Sequence, residues 1–283
     1  MRPSNTACAA LAAVALLAGC TTTPAGPKGH AGNPASTPSP IPPPTGLVAP
    51  GVLTVASDPD YPPKEYLDGA GHFVGFDIDL ARALATRLGL RLNVINVNVD
   101  GIVPAFAQPD RRFDLGISSQ PETPDLTATA RTLEYFLNGQ GILMRAADHR
   151  PVAGPDDLCG LRVGAAMASQ GEAAMLQENE RPCKANPIRY TGYKIDLDAV
   201  NDLAAGRLDA VVDDRPVTEY FTGVFPGLRV AGRQFATSVD VMVFPPGDTA
   251  VHPAVAAALG ELRADGTYAR LLSHWKLSDG YLG

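Results

Sequence analysis

The run Asp58-Pro59-Asp60-Tyr61-Pro62-Pro63 holds the densest chemistry of the 283-residue chain, two carboxylates and a phenol on a proline-held segment. Each proline fixes its own φ and biases the residue before it toward extended geometry, so the loop is predicted to be rigid. It follows the apolar run 52–56, which reads as a buried strand. A stiff loop carrying Asp58 and Tyr61 at the end of a core strand suits the holding of a small polar ligand. The competing assignment is structural, with Asp58 capping nearby backbone and Tyr61 packing in the core. Other chemistry has weaker signals. The histidines at positions 30, 72, 149, 252 and 274 show no metal-like spacing, and no glycine-flanked nucleophilic serine or phosphate loop is present. The chain is therefore predicted to use no metal or other cofactor and not to be an enzyme.

The elements that must position this loop follow from periodicity. Asp68-Gly69-Ala70-Gly71 supplies turn chemistry between two short extended pieces. Gly75-Phe76-Asp77 leads into a helix that Asp77 can cap; Leu80, Leu84 and Leu88 mark its buried face and Gly89 its stop. Strands are then predicted at 90–97, 115–118, 141–144, 161–165, 187–190, 210–213 and 239–244. Helices fall at 102–107, 171–177, 197–205, 217–221, 253–265 and 268–274. Such alternation implies an α/β fold with largely parallel sheets and leaves one domain or two open. Trp275, the single tryptophan, follows Leu271 and Leu272 and reads as a core anchor.

Cys159 and Cys183 each precede a predicted strand, with one helix between. Strands joined this way are usually parallel neighbours, which brings the two thiols together for a disulfide. Two buried thiols or a metal pair are the alternatives, the latter without a histidine to complete it. A disulfide belongs to an oxidising compartment, and the N-terminus agrees. Arg2 precedes a short apolar run, 7–18, as in a secretory signal. Leu17-Ala18-Gly19-Cys20 resembles a bacterial lipobox, so residues 1–19 are expected to be a signal peptide and Cys20 the lipidated first residue of the mature chain. From 20 to 50 the chain is Pro-, Thr- and Ala-rich and nearly uncharged, as a disordered tether would be. The net charge of −7, with no basic run, argues against nucleic acid as partner.

Tyr61-Pro62-Pro63 and Gly75-Phe76-Asp77-Ile78-Asp79-Leu80 stand in the order and spacing of the opening of family-3 extracellular solute-binding proteins, the receptors of amino-acid-type ABC importers. The chain resembles that family again at Leu158-Cys159-Gly160-Leu161-Arg162-Val163-Gly164, at 203–212 and at 264–272. Lys64 departs from it, standing where a phenylalanine is usual. The resemblance implies a two-lobe periplasmic-binding-protein-like fold, with the ligand in the cleft between α/β lobes joined by two hinge strands. Carried over, lobe one is 51–141 with 239–283 and lobe two is 145–237. It also implies an extracytoplasmic, lipid-anchored monomer that serves an ABC permease, or a sensor in its place, and closes on its solute by hinge motion.

Residue by residue, the resemblance assigns Asp58 and Tyr61 to the ligand side chain and Asp214 to the ligand ammonium, with Asp213 taking that role if the register shifts by one. Ser118 and Ser119 match small polar cleft residues, or else satisfy a turn. Ser169 and Gln170 match a helix start whose free amides suit an anion. The arginine that usually clamps the ligand α-carboxylate is replaced by Leu126, five residues before Arg131, which is the nearest substitute. Two ligand classes follow. One is an amino acid or derivative, its carboxylate held by the helix-start amides and Arg131. The other is a cationic solute without an α-carboxylate: a diamine, a guanidino compound or a betaine. An exported dehydratase-like enzyme using a cleft carboxylate is a further alternative.

Overall fold

The structure, a computed structural model, describes residues 41–283. The expected signal peptide, Cys20 and most of the expected tether lie outside the described residues. In chain order come β1 (Val52–Ser57), β2 (Asp60–Tyr61), β3 (Glu65–Leu67), β4 (Phe73–Val74), α1 (Phe76–Arg87), β5 (Arg91–Asn96), α2 (Val99–Ala105), β6 (Leu115–Pro121), α3 (Pro124–Thr129) and β7 (Arg131–Arg145). They are followed by β8 (Arg162–Ala166), α4 (Gln170–Glu180), β9 (Arg189–Tyr193), α5 (Asp196–Ala204), β10 (Ala210–Asp214), α6 (Arg215–Val224), β11 (Leu228–Phe244), α7 (Val251–Ala264) and α8 (Thr267–His274).

Eight strands form one sheet in the order β5-β1-β6-β11-β7-β10-β8-β9, while β2, β3 and β4 form a small sheet of their own. β1 lies parallel to β5 and β6 at one end, and β8 parallel to β9 and β10 at the other. Parallel neighbours need a crossover, and the helices supply it. Between the two ends, β11 and β7 run antiparallel to each other and to their flanking strands. β7 pairs by Arg131 to Leu137 with the end of β11, and by Gln140 to Arg145 with β10 and the start of β11. The ladder is irregular between Ala231 and Ser238, where Gly232 and Ala236 have φ of +66° and +45°. At Gly232 a Cβ would lie 2.6 Å from the Ala153 carbonyl oxygen, so only glycine fits.

The cores divide at the same place. On one side α1, α7 and α8 bury Leu84, Leu259 and Leu272 with Leu53 and Phe76, and Ile102 and Phe113 pack on the opposite face. Beyond the irregularity, Met144, Val163 and Met175 form one cluster and Leu143, Val200 and Phe221 another. Each side is thus a sheet covered on both faces, as the alternation predicted. The Cys159–Cys183 disulfide is present, with its Cα atoms 5.0 Å apart, at the entrances to the adjacent parallel strands β8 and β9. Trp275 packs against the first core and donates from its indole N–H to Asp79 at 3.0 Å.

Three expectations are corrected. Residues 41–50, assigned to the tether by composition, lie on the body: Ile41 and Leu47 pack against its core, and the Val48 N–H donates to Asp114 at 2.8 Å. The α1 cap is Gly75, whose φ of +127° and contact with Lys64 exclude a side chain; Asp77 is instead buried within the first turn. The strands expected at 141–144 and 239–244 are the apolar ends of fifteen- and seventeen-residue strands. Their polar stretches, such as Gly232-Arg233-Gln234, carry no alternation for a sequence reading to follow. The short α3, capped by Thr123 through the Leu126 N–H, went unpredicted because six residues give no period.

Candidate functional site

A cavity of about 480 Å³ opens where β1 and β6 end and β10 faces them. Its lining includes Asp58, Tyr61, Ser118, Ser119 and Leu126 from one side and Asp214 from the other. That is within the size range of small-molecule sites.

The floor is built on a buried ionic group that the sequence reading missed. The Pro62-Pro63 turn carries Lys64 inward, where it is fully buried. Its ammonium lies 2.6 Å from Asp240 and 3.9 Å from Asp77, over the Phe136 ring at 4.2 Å and the Tyr135 ring at 4.9 Å. Burial works against the charge on Lys64. Asp240 first, then Asp77 and Glu65, outweigh it and hold the ammonium above its ordinary pKa. Tyr135 donates to Asp77 at 2.6 Å. Next to Lys64, Glu65 is also buried yet reaches the cavity, accepting from the Ser119 hydroxyl at 3.0 Å and the Ser118 hydroxyl at 3.4 Å. Burial, and then the Asp77 carboxylate, push the Glu65 carboxyl well above its usual range, against the pull of Lys64. Ser119 takes a φ of +48°, uncommon for a residue with a side chain, at the point where β6 leaves the core.

The remaining predicted residues divide. Asp58 lines the cavity, but it also holds the start of α2, accepting from the Val99 N–H at 2.9 Å and the Asn98 amide at 3.0 Å. The structural assignment is thus realised, at a residue that also borders the cavity. Tyr61 likewise lines the cavity and packs against the core cluster beyond the crossing. Its hydroxyl donates to Asp214 Oδ2, while Gln140 donates to Asp214 Oδ1 at 2.5 Å. Burial first, and then Asp214, raise the Tyr61 hydroxyl well above its ordinary pKa. Of the two adjacent aspartates, Asp214 faces the cavity, whereas Asp213 accepts from the Asp214 N–H at 2.7 Å. Burial, and then Asp196, push Asp213 up.

Ser169, Gln170 and Arg131 do not line this cavity. Ser169 caps α4, accepting from the Glu172 N–H at 3.1 Å and donating to the Ala166 carbonyl at 2.7 Å. The helix start already has a carboxylate of its own, because Glu172 accepts from the Ala168 N–H at 2.6 Å. Arg131 lies at the start of β7 and donates to the Asp248 carbonyl at 2.9 Å. Glu65 and Lys64 could have been suspected from charges in apolar surroundings. Asp240 interrupts the run Val239 to Phe244, Asp77 lies among the buried residues of α1, and such acids need a cation. Among the described residues no group of acids, histidines or cysteines is arranged to hold a metal ion.

Comparison with known proteins agrees with this architecture. An arginine-binding protein of Corynebacterium glutamicum is 27% identical over 243 residues, covering 84% of this chain and 79% of that one. A solved ancestral cationic amino acid solute-binding protein superposes with a TM-score of 0.69 at 28% identity, covering 80% of this chain and 95% of its own. A second structure, of an ancestral amino-acid-binding protein described as a precursor of cyclohexadienyl dehydratase, is also 28% identical, with a TM-score of 0.58 and the same coverages. The fold they share is the two-lobed one of periplasmic amino-acid-binding proteins. Residues 53–278 match the model of the bacterial extracellular solute-binding proteins, family 3, and the chain belongs to that family.

Proposed function

We propose that the chain is the extracytoplasmic receptor of an ABC importer, anchored through a lipid on Cys20, and that it captures a small solute by its cationic group. One lobe comprises 51–141 with 239–283 and the other 145–237. They close about the irregular stretch of β7 and β11, where two antiparallel strands alone carry the chain from one core to the other. The observation that carries this reading is the placement of Asp214. It is the one cavity-lining residue from beyond the crossing, and it presents a carboxylate to a cavity otherwise built by the first lobe. A cation bridging Asp214 and the first-lobe carboxylates favours the closed state over the open one, which is what a ligand must do to shift that equilibrium. The names of the relatives, arginine-binding among them, fit a solute of that charge.

The reading also makes the chain a carrier, so a bound solute should be recovered chemically unchanged after prolonged incubation. The test of the site is Asp214→Ala. With L-arginine, L-lysine, their decarboxylated forms and L-histidine as probes, the parent chain should be stabilised by at least one. The variant should lose about 2–5 kcal/mol of binding free energy for that probe by titration calorimetry. Unchanged affinity in a folded variant would remove Asp214 from the site.

A further inference from the structure

We infer that the solute carries no carboxylate: the cavity is built for a cationic amine or guanidine with an uncharged or second cationic end. This rests on the proposed reading of the cavity as the solute site and goes beyond it by naming the chemical class.

The charge arrangement supports it from every side. Asp58, Asp60, Glu65, Asp100 and Asp214 all line the cavity, and no lysine, arginine or histidine does. Three basic residues on the elements around it are engaged elsewhere. Lys64 is buried beneath the floor between Asp240 and Asp77. Arg215, the residue after Asp214, is 3.0 Å from Glu219 and 2.8 Å from Asp279. Arg131 is turned to the Asp248 carbonyl, and Leu126 lines the cavity where the family resemblance implies a guanidinium. Two backbone amides at nearby helix starts are also taken. The amide at the start of α2 donates to Asp58, and the one ahead of α4 donates to Glu172.

A solute carboxylate enclosed here would lose its water, gain no counter-charge and stand among like charges. An isolated carboxylate is among the most costly groups to desolvate. A solute with cationic ends meets the opposite situation. Asp214 has a carboxylate on the second-lobe side. Glu65, 1% exposed and held by two serine hydroxyls, offers another at the floor. Pairing with a cation at either place is a charge-assisted contact.

Matched pairs differing only by the carboxylate decide the matter: L-arginine against 4-guanidinobutylamine, L-lysine against 1,5-diaminopentane, and L-ornithine against 1,4-diaminobutane. Calorimetric titration of the full chain, freed of carried-over solute by unfolding and refolding, should give one decarboxylated member an affinity at least about thirtyfold above its amino acid. Leu126→Arg should then narrow or reverse that ratio. Equal or tighter binding of the amino acid, lost in Asp214→Ala, would overturn the inference and leave the cation-receptor reading standing. Failure of every amine and every amino acid to bind would overturn both. A folded Leu126→Arg chain with an unchanged ratio would overturn the charge argument at its centre.

Discussion

The two sides of the cleft are built on different principles. The first lobe supplies nearly the whole cavity and sets it on a buried ionic group of Lys64, Asp77, Asp240 and Glu65, braced by Tyr135 and two serines. The second lobe supplies Asp214 to the cavity, steadied by Gln140 of its own side and by the Tyr61 hydroxyl from the other. One side carries its charges on a buried network of its own; the other reaches the cavity through a single carboxylate that Tyr61 already holds. On the proposed reading, discrimination between solutes would fall to the first lobe and the coupling of binding to closure to Asp214. A comparably charged group in the second lobe shows what burial adds. Asp209 faces Arg150 and Arg162 at 3.5 and 2.8 Å, but those arginine side chains are about 40% exposed. Water shares that work, and such pairs contribute little individually.

The largest effect should come from breaking the fixed side. Lys64→Met leaves two carboxylates buried without their cation, which costs about 3–5 kcal/mol of stability. Urea unfolding measures it, and the companion Lys64→Met/Asp240→Asn should recover part of the loss, because one of the two stranded charges leaves with its partner while Asp77 stays. A single-variant cost below about 1 kcal/mol would place Lys64 with the exposed pairs rather than in a desolvated cluster.

That cluster also marks how far the sequence could be read. The layered α/β architecture, the parallel neighbours at each sheet end and the cysteine pair follow from apolar periodicity and crossover length. Those signals are local, and the structure bears them out. Tyr61 and Asp214 could be named individually, but their hydrogen bond joins residues 153 positions apart and no periodicity encodes it. Glu65, next to Lys64 after the two prolines, carries no local signal of burial. Its burial depends on β6 and α1 converging over it. Arg131 stands outside the described cavity for the opposite reason: it is five residues from Leu126 in sequence, but Leu126 lies in α3 while Arg131 begins β7 and donates to the Asp248 carbonyl.

A smaller effect should sharpen the comparison through pH. Glu65 faces Lys64 and Asp77, receives the hydroxyls of Ser118 and Ser119, and shares the cavity with Asp58 and Asp214. Its folded pKa is raised by burial above the unfolded value of about 4.3. The stability it contributes is therefore fully present below that unfolded value and is lost as pH rises through the folded one. A cation bound beside it favours the ionised form and releases the proton. Stabilisation by 1,5-diaminopentane, whose amines stay charged throughout, should then grow with pH by at most about 1.4 kcal/mol per unit. Glu65→Gln should flatten the profile. A parent profile that is already flat, or falls with pH, would take Glu65 out of solute binding and leave it a structural acid.

The smallest effect concerns the contact that joins the two sides. Asp214 already accepts from Tyr61 and Gln140, one on each oxygen. A carboxylate has about four acceptor positions, so two remain for a solute cation. On that count the Tyr61 hydroxyl aims Asp214 rather than blocking it, and the ring keeps its packing against the second core when the hydroxyl is removed. Tyr61→Phe should therefore weaken binding by about 1 kcal/mol, the net worth of one hydrogen bond, with little change in thermal stability. Tighter binding in the variant would reverse the assignment. The hydroxyl would then occupy the place the cation needs, and solute entry would have to displace it before the lobes could hold anything between them.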